Sequence, residues 1–105
     1  MGQFIYGRTP TSVEVDDRTL AHLKVVVATK LRRGEPFFLE LDAGSGSGRR
    51  SFWLHPAVAV QFHFYGSRQP RLNRAWIDDL MASAHSATGL QIVPEPGERD
   101  APAEL

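Results

Sequence analysis

The run Ala57 to Tyr65 constrains the fold more than any other stretch, because its residues alternate. Val58, Val60, Phe62 and Phe64 share one side, and Gln61, His63 and Tyr65 share the other. Successive side chains of a strand point to opposite faces, so the pattern predicts a strand with one face in the core and the other at least partly open. The rest of the chain must supply an apolar layer to cover Phe62 and Phe64.

That layer is legible as two helices. Leu20, Leu23, Val27 and Leu31 recur at spacings of three and four, forming one apolar stripe on a helix of about Asp17 to Arg33, with Val25 and Val26 widening the buried face. Asp16 or Asp17 can accept from the free amides at its start. Lys30, Arg32 and Arg33 suit the dipole at its end, and Gly34 can take the left-handed cap. Asn73 caps a second helix that gathers Trp76, Ile77, Leu80, Met81 and Ala84 on one side, and Gly89 closes that region.

The remaining strands are shorter. Phe4 to Tyr6 and Ser12 to Val15 form a hairpin around Gly7-Arg8-Thr9-Pro10. Phe37 to Leu41 has the apolar content of a central strand, and Arg50 to Leu54 returns after the Gly/Ser-rich tip Asp42 to Gly48. Leu90 to Val93 is the last. The order β-β-α-β-β-β-α-β predicts an α+β fold: a mostly antiparallel sheet of five to six strands, with both helices on the face carrying Phe62 and Phe64. Residues 1–93 form this single domain. Pro94, Pro96 and Pro102 punctuate a flexible acidic tail, residues 94–105, that buries nothing.

Length and composition agree with one core. At 105 residues, 42% hydrophobic and 23% charged, the chain has globular proportions and no room for a second domain. The absence of cysteine excludes disulfides and thiolate chemistry. No apolar run approaches the roughly 20 residues of a spanning helix. The first residues lack the pattern of a signal peptide, so the expected compartment is the cytoplasm. Residues 1–93 hold eleven Lys or Arg against eight Asp or Glu, whereas 94–105 hold one against four. A mildly basic body thus carries an acidic tail.

The chemistry-bearing feature is Gly66-Ser67-Arg68-Gln69-Pro70-Arg71-Leu72-Asn73-Arg74, which sets Arg68, Arg71 and Arg74 around a helix start. Unpaired amides and clustered guanidinium groups there favour an anion such as phosphate. The bland alternative is a solvated loop whose arginines pair with Asp78, Asp79 or the tail. Lys30 and Arg33 at the end of the first helix, and Arg49 and Arg50 at the start of a strand, join the candidate anion- or nucleic-acid-binding set if the fold brings them near Arg68, with Trp53 or Tyr65 for stacking. Lys30, Arg32 and Arg33 also have an ordinary explanation in helix ending. His22, His55, His63 and His85 match no metal spacing, and no metal or cofactor is expected. His55 and His63 are the best acid/base candidates, but no spacing supplies a carboxylate partner such as Glu40. No catalytic residue is assigned.

Gln3-Phe4-Ile5-Tyr6, Leu20-Ala21-His22-Leu23, Lys30-Leu31-Arg32-Arg33-Gly34-Glu35, Trp53-Leu54-His55-Pro56 and Asn73-Arg74-Ala75-Trp76-Ile77 carry a resemblance. They resemble a family of small, uncharacterised actinobacterial proteins commonly labelled ATP-dependent DNA ligase, and the likeness runs to Val93-Pro94-Glu95-Pro96. The label implies nucleotidyl transfer through a lysine in a Lys-x-Asp-Gly setting. Here Lys30-Leu31-Arg32-Arg33-Gly34 has the lysine without the aspartate, and Lys24 precedes three valines.

Three functions follow from the residues and the resemblance. The first is a non-catalytic binding domain that uses the Arg68 region, with DNA or another phosphate-bearing ligand as partner and DNA repair as its setting. The second is a protein-interaction or homodimerisation module using the open strand face or a sheet edge. The third is ligase-related activity. A further expectation is that Glu95, Glu98, Asp100 and Glu104 of the tail fold over the basic loop and compete with an anion.

Overall fold

Local chemistry sets the ends of both helices. Helix α1 (Asp17–Arg32) starts at Asp16, whose carboxylate accepts from the Thr19 amide at 3.1 Å and the Thr19 hydroxyl at 2.7 Å. It ends in a paired cap: the Gly34 amide reaches the Leu31 carbonyl at 2.9 Å and the Glu35 amide reaches Lys30 at 3.0 Å, with Gly34 at φ 72°. Helix α2 (Arg74–Ala84) starts at Asn73, whose Oδ1 accepts from the amides of Ala75 and Trp76. The computed structural model describes residues 1–42, 46 and 48–97, so Glu98, Asp100 and Glu104 of the acidic tail, and most of the Gly/Ser tip, lie outside the described residues.

The strands are β1 (Gly2–Tyr6), β2 (Thr11–Val15), β3 (Phe37–Asp42), β4 (Arg49–Leu54), β5 (Val60–Phe64) and β6 (Leu90–Gln91). The α+β class, the element order and the predominance of antiparallel pairing are those the sequence predicts. Among the described residues the strands divide between two sheets of three, ordered β2-β1-β5 and β4-β3-β6, with only the short β3/β6 pair parallel. The division has a local cause. His55 Nδ1 accepts from the Ala57 amide at 3.0 Å and the Val58 amide reaches the His55 carbonyl at 3.0 Å, so the chain turns at Pro56 and leaves β4. Beyond that turn β5 pairs with β1, setting Phe62 opposite Phe4. The alternating run is therefore strand only from Val60 onward.

Each sheet carries its own helix. Helix α1 packs on β1 and β5, α2 packs on β3 and β6, and the helices touch each other. The core gathers Phe4, Leu20, Leu23, Val26, Leu39, Leu54, Leu80 and Leu90, all fully buried. The Phe4 ring meets Phe52 edge-on at 5.2 Å and Phe62 at 5.7 Å, and such contacts add roughly 0.5–1.5 kcal/mol each beyond area burial. Tyr6 ties the two sheets together. Its hydroxyl donates to the Trp53 carbonyl at 2.7 Å and accepts from the His55 amide at 3.0 Å.

The last strand is short because its continuation is used elsewhere. The Trp76 indole donates to the Val93 carbonyl at 2.9 Å, and Pro94 has no amide to offer a ladder. The first tail residues are also held. Glu95 accepts from Arg18 and Asn73, and the Pro96 carbonyl accepts from Asn73 at 2.9 Å, so these two residues dock against α1 and the start of α2.

Candidate anion-binding groove

The loop 66–72 arches over α1, and α1 residues clamp both of its ends. At one end Asp17 accepts from the amides of Gly66 at 2.9 Å and Tyr65 at 3.3 Å. At the other, Arg18 Nη1 donates to the Arg71 carbonyl at 2.8 Å, and His22 Nε2 accepts from the Asn73 amide at 2.7 Å. That last bond fixes the tautomer. With Nε2 accepting, the ring proton sits on Nδ1 and donates to the Arg18 carbonyl at 2.7 Å. His22 is fully buried with its ring 4.6 Å from Trp76, so this histidine is a structural bracket.

Between the clamps, the loop and the outward face of α1 enclose a groove of about 520 Å³. Lys24 and Arg32 come from the helix and Arg68 from the loop, and no lining residue is acidic. Ala21, Val25, Ala28, Phe64, Pro70 and Leu72 make the rest of the walls largely apolar. Lys24 Nζ stands 5.8 Å from the centroid of the Phe64 ring, a cation over an aromatic face. Three positive charges on an apolar cleft of this size suit an anion with an apolar body.

The structure sorts the sequence-derived candidates. Arg68 is in the groove. Arg71 and Arg74 are exposed nearby, but Arg71 takes part through its carbonyl and neither side chain lines the cleft. Arg33 caps α1 beside Arg32 and is exposed. Arg49 lines a different cavity beside Glu40 and Asp42, with Nε 3.5 Å from Glu40, and Arg50 is next to it on β4. Lys30 is 6% exposed: its ammonium lies 3.2 Å from Glu35, 3.4 Å from His85 Nδ1 and 5.7 Å from the Phe37 centroid. These surroundings leave Lys30 no open path to a ligand. The basic clusters therefore do not all converge; Arg68 meets Arg32 and Lys24 instead. The signal for both is a second stripe on α1, because Ala21, Lys24, Val25, Ala28 and Arg32 recur at helical spacing away from the core residues.

The acid/base candidates stay apart. His63 is exposed on β5 beside Tyr65, His55 closes the turn before β5, and Glu40 is occupied on the other sheet by Ser51 at 2.6 Å and by Arg49. The Glu95 carboxyl and the Tyr65 phenol are shifted from their ordinary values. Hydrogen bonds from Arg18 and then Asn73 lower the Glu95 carboxyl to about 2. Desolvation, followed by the Glu14 carboxylate, raises the Tyr65 phenol and keeps it a donor to Glu14 at 3.3 Å. Among the described residues, no group of three or more His, Cys, Asp or Glu is placed to hold a metal, and no helix is long and apolar enough to cross a membrane.

Two three-stranded sheets with a helix on each, and a cationic cleft between α1 and the loop 66–72, define a small α+β domain. The chain belongs to the family described as Domain of unknown function (DUF7882), whose model matches residues 1–95. No curated protein matches it, and no solved structure does.

Proposed function

We propose that this domain is a non-catalytic binding module for a phosphate-bearing polyanion, with nucleic acid as the partner class. The observation that carries the reading is the convergence of Lys24, Arg32 and Arg68 on one groove without a carboxylate in its lining. Guanidinium groups engage phosphate through a planar fork of donors, and two of the three cations are arginine. The clamped loop supports the reading further, since a site ordered in advance loses less free energy on binding.

The test is fluorescence anisotropy of labelled DNA at low and physiological salt, with polyglutamate as a competitor of similar charge. Binding is expected to weaken with salt at a slope of about −2 to −3 in log–log form for three phosphate contacts. Arg68→Ala is expected to reduce that slope by about one. No binding at low salt, or binding unchanged by replacing Lys24, Arg32 and Arg68 together, overturns the proposal. Polyglutamate competing as well as DNA reassigns the groove to acidic protein segments.

A second reading has its own observation. Phe38 and Trp53 face each other across β3 and β4, 4.9 Å apart and about half exposed. Such a pair on an outer sheet face suits a protein contact, including one with a second copy of the chain. Sedimentation of the wild type against Trp53→Ser tests it: a concentration-dependent dimer lost in the variant supports this reading, and a monomer in both removes self-association.

A further inference from the structure

We infer that the groove accepts a single strand with one nucleobase seated in the cleft, and discriminates against a duplex; the inference rests on the nucleic-acid reading above. The cations stand on the walls of a concavity, while most of the remaining lining is apolar. A duplex keeps its bases stacked inside and presents phosphates on a convex surface. It would meet the cations and leave Val25, Ala28 and Phe64 without a partner. A single strand can turn one base out of its stack, and every base has an apolar face whatever its sequence.

The positions of the polar groups agree. Lys24 and Arg32 are eight residues apart on α1, a rise of about 12 Å, so they meet different phosphates along one strand. Arg68 faces them from the loop, and Ser67 and Gln69 beside it offer hydrogen-bonding groups to a base edge. A cleft of about 520 Å³ falls in the range of cavities that enclose small organic ligands, which is the scale of a base with its sugar. The clamps of Asp17, Arg18 and His22 hold the cleft open before a ligand arrives.

The experiment measures binding of a labelled oligothymidylate of about 12 nucleotides, within the site sizes of single-strand binders, and of a duplex of the same length. It uses the wild type, Arg68→Ala, and two variants that fill the cleft while keeping every cation, Ala28→Phe and Ala21→Leu. Leucine is a good helix former, so Ala21→Leu keeps the test alive if Ala28→Phe fails to fold by circular dichroism. The wild type is expected to prefer the single strand by about tenfold or more, the scale of stacking one base. The cleft-filling variants are expected to lose that preference and retain weak, salt-sensitive binding to both forms. Equal affinity for single strand and duplex, or a preference unchanged by filling the cleft while Arg68→Ala abolishes binding, overturns the single-strand inference and leaves the nucleic-acid reading standing. No binding of either form at low salt removes both.

Discussion

Arg18 and Glu95, 77 residues apart in the chain, are joined by two hydrogen bonds, Nε to Oε1 at 2.9 Å and Nη2 to Oε2 at 2.6 Å. The same guanidinium donates through Nη1 to the Arg71 carbonyl, so one side chain on α1 holds both the loop 66–72 and the segment after β6. Asn73 adds a second tie to Glu95 at 2.9 Å while capping α2. The shape of the groove therefore depends on a residue far from it in sequence.

The first prediction concerns pH. The Glu95 carboxyl is lowered from its ordinary 4.5 to about 2, so its contribution to docking is complete above about pH 4.5 and is lost as pH falls toward 2. The Trp76 indole proton, bonded to Val93, reports the docking. Its exchange protection is expected to fall across that window in the wild type, and Glu95→Gln is expected to flatten the profile. An acid profile identical in Glu95→Gln would assign the transition to other groups.

His22→Ala removes the acceptor of the buried Asn73 amide and opens space beside Trp76. An orphaned buried donor and a cavity together are expected to cost about 3 kcal/mol, read as a lower urea midpoint with an unchanged slope. A loss below about 1 kcal/mol would mean that water replaces the imidazole, and that the bracket matters less than its burial suggests.

Two glycines separate backbone strain from crowding. Gly34 has φ 72° with nothing within 4 Å of an added Cβ, so Gly34→Ala carries only the left-handed penalty, about 1 kcal/mol. Gly89 has φ 90° and would place that Cβ 2.8 Å from the Phe38 Cβ and 2.9 Å from its carbonyl oxygen, where β6 runs close to β3. Gly89→Ala is therefore expected to cost at least about twice as much, measured by the same urea midpoints. Equal costs would show that β6 can shift away from Phe38.

The helix ends were legible because capping is local: Asp16, Gly34 and Asn73 act within a few residues of themselves. The division into two sheets was not, since it turns on whether β5 continues beside β4 or crosses to β1. Alternation in Val60–Phe64 gives a face and not a partner. The groove was half legible. Arg68 stood out in its loop, but its neighbours depend on Asp17, Arg18 and His22 fastening that loop to α1, and the Arg18–Glu95 pair spans most of the chain.

The last prediction uses the chain's two lysines, Lys24 and Lys30. Acylation by an amine-reactive ester needs a neutral, accessible amine. Lys24 is exposed at the groove, whereas Lys30 is buried against Phe37, Glu35 and His85 and must wait for local opening of the chain. Peptide mass spectrometry is expected to show Lys24 modified at least about tenfold faster, and a bound oligonucleotide is expected to protect Lys24 while leaving Lys30 unaffected. Under the same burial, ATP and Mg²⁺ are expected to leave no adenylate on Lys30, because attack on a phosphate requires the amine to reach it. A Lys30 adenylate would support the ligase-related activity and show that this end of α1 opens. Unchanged Lys24 labelling under a saturating oligonucleotide would place nucleic acid elsewhere on the molecule.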